Sequence, residues 1–279
     1  SSIGLVQAAD TPIVSTGGVA YNIGVSGNSK FTYSDNVTLG GDAGTTNGNP
    51  YQNSNDPNAK GNNIAIGRIS LNGSSGGANV ALGSKTFLNG KGDYNFLGNF
   101  AAGFNSTISN TIAIGSFAGS GATGNKNVWL GTGQAGGSTG NNTVLIGSNS
   151  TVDGNFNYGI GHNAVLKGES NAVVGAYNHV TANNTYVLGD HVDTTLNNAV
   201  VLGSHSTAES SDVVNTPSYT YAGGTVNFAG TAPVSTVSVG ATNQERTITH
   251  VAAGRVSADS TDAINGSQLY GANQQIDNL

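Results

Sequence analysis

Few residues of this chain have the types and spacing for chemistry. His191 and His205 each stand two places after a glycine, with Asp190 and Asp193 beside the first of them. Imidazoles next to carboxylates can ligate a metal, but a metal site wants three or four convergent donors. The pattern reads first as a surface ladder of weakly basic side chains, His205 stacked one turn of the chain above His191. Gly131-Thr132-Gly133-Gln134-Ala135-Gly136 has the form G-x-G-x-x-G. That form holds a pyrophosphate only where a helix N-terminus follows, and here more glycine-rich sequence follows, so it is a by-product of composition. Glu169, Glu209 and Glu245 are far apart, and the aspartates stand singly at turns, where they cap backbone groups. No G-x-S-x-G nucleophile elbow occurs. Gly40-Gly41-Asp42-Ala43-Gly44 resembles one copy of a calcium-binding nonapeptide, but one copy without an array is a turn. No catalytic residue, cofactor or metal is expected.

Aromatic side chains are the other resource. Phe87, Phe100, Phe104, Phe117 and Tyr177 follow glycines, in turns or return strands. The first reading is that they fill the core of the longer repeats. If exposed they form a receptor patch, so Phe87, Phe100 and Phe117, with Tyr51, are the candidate ligand surface.

Composition narrows the classes further. Of 279 residues, 43 are glycine, 5 are proline and only 9% are charged, against a usual charged share of about 25%. Disordered chains are rich in charge and proline, so this balance points to extended β structure with many tight turns. The net charge of −6 and scattered Lys and Arg exclude nucleic acid as a partner. With no cysteine there is neither a disulfide framework nor a thiolate site. No apolar stretch approaches the 18 residues of a spanning helix. No signal peptide precedes Ser1, and the chain is expected to be a piece of something longer.

The dominant feature is a repeat. Asn or Thr, then three small or apolar residues, then Gly recurs as Asn63-Ile64-Ala65-Ile66-Gly67, Asn79-Val80-Ala81-Leu82-Gly83, Asn127-Val128-Trp129-Leu130-Gly131 and Asn171-Ala172-Val173-Val174-Gly175. Weaker copies end at Gly98, Gly161 and Gly189, and two earlier ones at Gly24 and Gly40. The spacing is 15 to 17 residues in the first half and 14 in the second. A unit this short is one rung of a β-solenoid. Its apolar run is a strand, glycine ends it, and the rest returns as a second, more polar strand facing water. At about 4.8 Å per rung, ten rungs span roughly 48 Å.

Both faces of the first strand are apolar. The residue before each glycine is uniformly aliphatic, as in Ile66, Leu82, Leu97, Ile114, Ile160 and Leu202, and is expected to point into the roll. The residue two before glycine lies on the opposite face by period two. That column is Ala65, Ala81, Phe96, Ala113, Trp129, Leu145, Gly159, Val173, Val187 and Val201. A strand apolar on both faces is covered on both. The second column, apart from Phe96 and Gly159, is therefore the expected contact with another copy of the chain.

The expected layout is irregular N-terminal rungs over 1–62 with a loop insertion at 41–62, a regular roll over 63–206, a β connector over 207–242, a neck over 243–268, and the start of a coiled coil over 269–279. Leu269, Ala272, Ile276 and Leu279 are spaced three, four and three apart, a coiled-coil seam.

These residues resemble a family. The 171–175 unit is similar to the head repeat of YadA-like trimeric autotransporter adhesins. Arg246-Thr247-Ile248-Thr249-His250-Val251-Ala252-Ala253-Gly254, followed by Thr261-Asp262-Ala263-Ile264-Asn265-Gly266-Ser267-Gln268-Leu269, resembles that family's neck. The two neck blocks, in order before a coiled coil, are the more specific signal. The resemblance implies an all-β fold: a left-handed parallel β-roll, homotrimeric, on a C-terminal neck and coiled coil. It implies that Ile248, Val251, Ile264, Leu269 and Ile276 lie between chains. It further implies a bacterial cell-surface location, with an outer-membrane anchor beyond this sequence. The expected partners are an extracellular-matrix protein (collagen, laminin, fibronectin) or a host receptor such as a CEACAM.

Attachment to host surfaces is therefore the leading expectation. The rivals are a solenoid carbohydrate-active enzyme or glycan-binding module, which for catalysis needs convergent carboxylates on one sheet face, and an ice binder, which needs a regular Thr-x-Thr on every rung.

Overall fold

In this computed structural model the described residues are 37–44 and 61–279, together with the backbone strand Ile23–Val25. The first strands of successive rungs form one sheet of thirteen strands among these residues. It runs from Ile23–Val25 and Val37–Leu39 through Ile64–Ile66 and Val80–Leu82 to Val200–Leu202 and Val237–Ser238. Neighbours pair in parallel, each residue opposite its repeat equivalent, as in Val144 with Tyr158, Leu145 with Gly159 and Ile146 with Ile160. The return strands build a second parallel sheet, Thr151–Asp153, Val165–Lys167, His179–Thr181 and Asp193–Thr194. Earlier rungs extend this wall through Thr107–Ser109 with Thr123–Asn125 and single bridges such as Ser75 to Lys91.

Glycine ends the first strand for a backbone reason. At Gly161 φ is +144°, and a Cβ there would strike the Gly175 carbonyl of the next rung. The glycine column thus lets rungs approach to sheet distance at the corner. At the Phe96–Gly98 rung the column is interrupted. Pairing sets Val80 against Phe96, Ala81 against Leu97 and Leu82 against Gly98. Leu97, not Phe96, enters the interior, and Asn99 takes the corner at φ +82°. Counting from Gly83 to Asn99 to Gly115 makes both steps 16. Asparagine tolerates the left-handed region, so it could stand where only glycine was sought.

The longer rungs spend their extra residues on overlapping turns. Thr86 N–H donates to Gly83 O, Leu88 N–H to Lys85 O and Gly90 N–H to Phe87 O. Lys85, Phe87 and Asn89 have φ of +59°, +55° and +54°, the type II arrangement. Their own N–H groups bond to adjacent rungs, Lys85 to Arg68 O at 3.0 Å and Phe87 to Ala102 O at 2.7 Å. The wide corner therefore stays hydrogen-bonded above and below. From Gly147 onward one positive-φ residue suffices at this corner: Asn149, Asn163, Tyr177, His191 and His205.

The buried side chains form one continuous cluster between the two walls. Volumes compensate across it: Ala65, Ala81 and Ala113 share the cluster with Leu71, Phe87 and Trp129, and farther along Leu145, Val173 and Val187 meet Val152, Leu166 and Val180. Beyond Val200–Leu202 the chain makes an antiparallel hairpin, Ser218–Tyr221 with Gly224–Asn227, and then returns as Val237–Ser238. The connector thus contributes a final rung to the main sheet. A helix, Gly266–Asp277, closes the described chain. Asn265 caps it by accepting from Gln268 N–H, while Gln268 accepts in return from Asn265 N–H.

Candidate functional site

The two faces of the first strand are reversed from expectation. Ala65, Ala81, Ala113, Trp129, Leu145, Val173, Val187 and Val201 are all buried inside a single chain. They cannot form the contact between copies assigned to them. The column before glycine points outward instead: Ile66, Ile114, Ile146, Ile160, Val174, Leu188 and Leu202 are exposed, Leu188 at 59%. Phe96, with Ile64, Ile112, Tyr158 and Tyr186, adds a second outer column two residues earlier in the strand. The physical reason is thickness. Period two separates faces but does not say which is inside. A narrow roll accepts only residues whose sizes compensate rung by rung, so the mixed column of alanine, leucine and tryptophan is the interior. The uniform aliphatic column is the surface, an apolar stripe of the kind that marks an interaction face.

The aromatic candidates divide. Phe87 is fully buried, so it fills the core and leaves the ligand surface. Phe100 and Phe117 are exposed and pack edge to face with centroids 5.3 Å apart, and the Lys85 Nζ lies 5.5 Å from the Phe100 ring centre. Tyr51 lies outside the described residues.

The repeated Asn or Thr opening each motif has a role that its position announced but chemistry had to explain. These side chains form a buried ladder beside the strand. Asn63 Oδ1 accepts from Asn79 N–H at 3.0 Å, Asn79 Oδ1 from Asn95 N–H at 3.1 Å, and Asn95 Oδ1 from Thr111 N–H at 3.1 Å. Their Nδ2 groups donate across the roll, Asn79 to Gly92 O and Asn127 to Gly140 O, both at 2.9 Å. The ladder satisfies backbone groups at the tight corners, where burial without a partner is costly.

The junction to the neck is held by Arg246, which sequence reading did not single out. Its Nη1 donates to Ser206 Oγ and Val239 O, and its Nη2 to Ser204 O, each at 2.9 Å. The guanidinium thus seals the end of the roll. In the neck, Arg255 grips Asp262 with two bonds, Nε to Oδ2 at 2.7 Å and Nη2 to Oδ1 at 3.0 Å. The Asp262 carboxyl is held below its ordinary range by that side-chain bond first, and by the Arg255 N–H second. Gln268 Nε2 donates to Gly254 O at 2.7 Å and Gln268 Oε1 accepts from Gly254 N–H at 2.9 Å, tying the two neck blocks together. Ile248, Ile264, Leu269 and Ile276 are exposed in one chain, and Val251 is half-buried.

The remaining chemical residues fall as follows. The Tyr177, His191 and His205 rings stack, the two imidazoles 4.8 Å apart and 5° from parallel. Gly131–Gly136 lies in the turns of a wide rung, not before a helix. Glu169 accepts from Asn155, Glu245 accepts from Asn243 N–H, and Glu209 precedes the short 3-10 turn Ser210–Asp212. Among the described residues no helix is long and apolar enough to cross a membrane.

Comparison with known proteins finds likenesses to parts of this chain. Residues 247–279 match the family described as the coiled stalk of trimeric autotransporter adhesin. Autotransporter adhesin BtaE of Brucella suis biovar 1 (strain 1330) is 57% identical over 72 residues, 26% of this chain and 10% of that protein. This chain therefore spans about a tenth of the curated relative. Two solved structures are similar. The C-terminal YadA-like domain of a Burkholderia pseudomallei protein is 44% identical with a TM-score of 0.33, covering 36% of this chain and 52% of that one. The collagen-binding domain of the Yersinia adhesin YadA is 21% identical with a TM-score of 0.40, covering 76% and 83%. The C-terminal residues 247–279 are thus similar to a trimeric autotransporter adhesin stalk.

Proposed function

We propose that this chain is the head and neck of a homotrimeric, non-enzymatic adhesin displayed on a bacterial surface and anchored in the outer membrane by a segment beyond this sequence. The observation that carries the reading is the run of exposed apolar side chains along the main sheet from Ile64 to Leu202, in a chain whose C-terminal segment matches an adhesin stalk. Three copies placed with these columns inward cover an apolar face that one chain leaves bare. The exposed Ile248, Ile264, Leu269 and Ile276 then continue the same contact down the neck and helix. The corrected interface is thus Ile64, Ile66, Phe96, Ile112, Ile114, Tyr158, Ile160 and Leu188 in the roll, with the neck residues as first assigned.

Assembly along the main sheet leaves the corners and the return sheet for a ligand. Extracellular-matrix proteins or host receptors are the partner class, and Phe100, Phe117 and Lys85 form the aromatic and cationic patch that the described residues offer them. The test is binding of the purified trimer to immobilised collagen, laminin, fibronectin and cultured host cells. The expected result is saturable binding to at least one, reduced about tenfold or more in a Phe100→Ala, Phe117→Ala double variant. Binding that is unchanged in that variant moves the site elsewhere. Absence of binding to every surface refutes the adhesive role.

A further inference from the structure

We infer that two successive rungs near the C-terminal end of the roll carry a surface site for a borderline-soft divalent cation of the zinc class, built from His191 and His205 with Asp190 as their orienting carboxylate. One ligand atom from each of these three residues lies within 4.8 Å of the other two. The repeat brings the groups together, since residues 14 apart occupy the same corner of successive rungs; the two imidazoles stack nearly parallel, so binding one ion requires both rings to turn until their in-plane lone pairs meet.

The hydrogen bonds prepare the rings for coordination. The Asp190 carboxylate can only accept, so the 2.8 Å contact between its Oδ2 and His191 Nδ1 places the proton on Nδ1. Nε2 of His191 is then a lone pair. A carboxylate behind a histidine is the usual support of a metal-bound imidazole, fixing its tautomer and raising its basicity. His205 Nδ1 lies 2.7 Å from Ser204 Oγ, and in the tautomer whose Nδ1–H donates to that hydroxyl Nε2 is its coordinating atom as well. Ser204 also bonds the Asp190 carboxylate, so the two rungs share one polar network. Arg246, which reaches this end of the roll, is committed to Ser204 O, Ser206 Oγ and Val239 O.

Zinc–nitrogen bonds of about 2.0–2.1 Å hold tetrahedral ligands roughly 3.3 Å apart. The stacked rings must therefore draw together and tilt out of parallel, a side-chain rotation open to groups that face solvent. Two imidazoles leave the other positions to water or to Asp190. Zinc, copper(II) and nickel fit such a nitrogen-rich site, whereas calcium and magnesium prefer oxygen cages.

Isothermal titration of the chelator-free protein with zinc chloride tests the site. Substitutions His191→Asn and His205→Asn suit the purpose, because both positions have positive φ, +53° and +56°, which asparagine tolerates. The expected result is one ion per chain with a micromolar dissociation constant. Each Asn variant weakens binding by about thirtyfold or more, Asp190→Asn weakens it by about tenfold, and His179→Asn leaves it unchanged. A rise in melting temperature on adding zinc, reversed by a chelator, accompanies binding in the parent and in His179→Asn and is lost in His191→Asn and His205→Asn. Failure to bind at millimolar zinc overturns the inference, and so does parental affinity in both histidine variants.

Discussion

Asn171 donates both its backbone N–H and its side-chain Nδ2 to the Oδ1 of Asn157 one rung below, each at 3.1 Å. The same Nδ2 reaches Ala182 O across the roll, and Asn171 Oδ1 accepts from Thr185 N–H above. One fully buried side chain thus partners a side-chain oxygen and two backbone groups spread over three rungs. Replacing Asn171 by alanine strands several of them at once. Each costs about 1–3 kcal/mol, so Asn171→Ala should lower stability by more than a surface change such as Asn183→Ala, measured by thermal or denaturant unfolding.

Phe87 and Phe117 look alike in sequence and differ in consequence. Phe87 is enclosed by the wide-rung core, so Phe87→Ala should cost about 3–5 kcal/mol of stability. Phe117 is exposed and touches Phe100, so Phe117→Ala should leave unfolding within about 0.5–1.5 kcal/mol of the parent. Equal losses would contradict the buried position of Phe87.

Assembly should respond to the outer column. Ile160→Asp and Ile264→Asp place a charge on exposed positions of one chain, so each folds locally but introduces unpaired charges into the proposed three-chain contact, at about several kcal/mol per trimer. Light scattering should show the parent at three times 27.8 kDa and these variants dissociating at lower concentration. A variant as trimeric and heat-stable as the parent would refute the corresponding contact.

Ile69 is β-branched yet sits at φ +52° in a wide-rung turn. That conformation costs roughly 1–2 kcal/mol for such a residue. Ile69→Asn should therefore raise the melting temperature despite removing a half-buried side chain; a fall would mean that the lost packing outweighs the relieved strain.

Acid should loosen the neck. The Asp262 carboxyl is depressed below its ordinary value of 3.8 by Arg255. A depressed folded pKa contributes stability that is present above the unfolded value and lost as pH falls through the folded one. Melting of the neck should thus be flat above about pH 4 and fall below it, and Asp262→Asn should remove that part of the acid dependence, as followed by circular dichroism of the helix.

The sequence by itself determined the repeat, the parallel stacking, the stacked His191 and His205, and the change of character at the neck. These follow from period and residue type: glycine at fixed intervals needs a tight corner, and a 14-residue unit closes only as a solenoid rung. What tertiary structure alone decided was direction. Alternation in a strand gives two faces without naming the inner one, so Trp129 and Ala113 were assigned to the wrong side until the thickness of the roll was known. The one-residue offset at Leu97 escaped because glycine was taken as the only marker of the corner, although Asn99 restores equal spacing. Phe87 and Phe117 could not be separated for a similar reason. Both follow a corner glycine at positive φ, but Phe87 stands four places on and turns inward, whereas Phe117 stands two places on and faces solvent. The course of the wide turn sets that choice, and no local propensity records it.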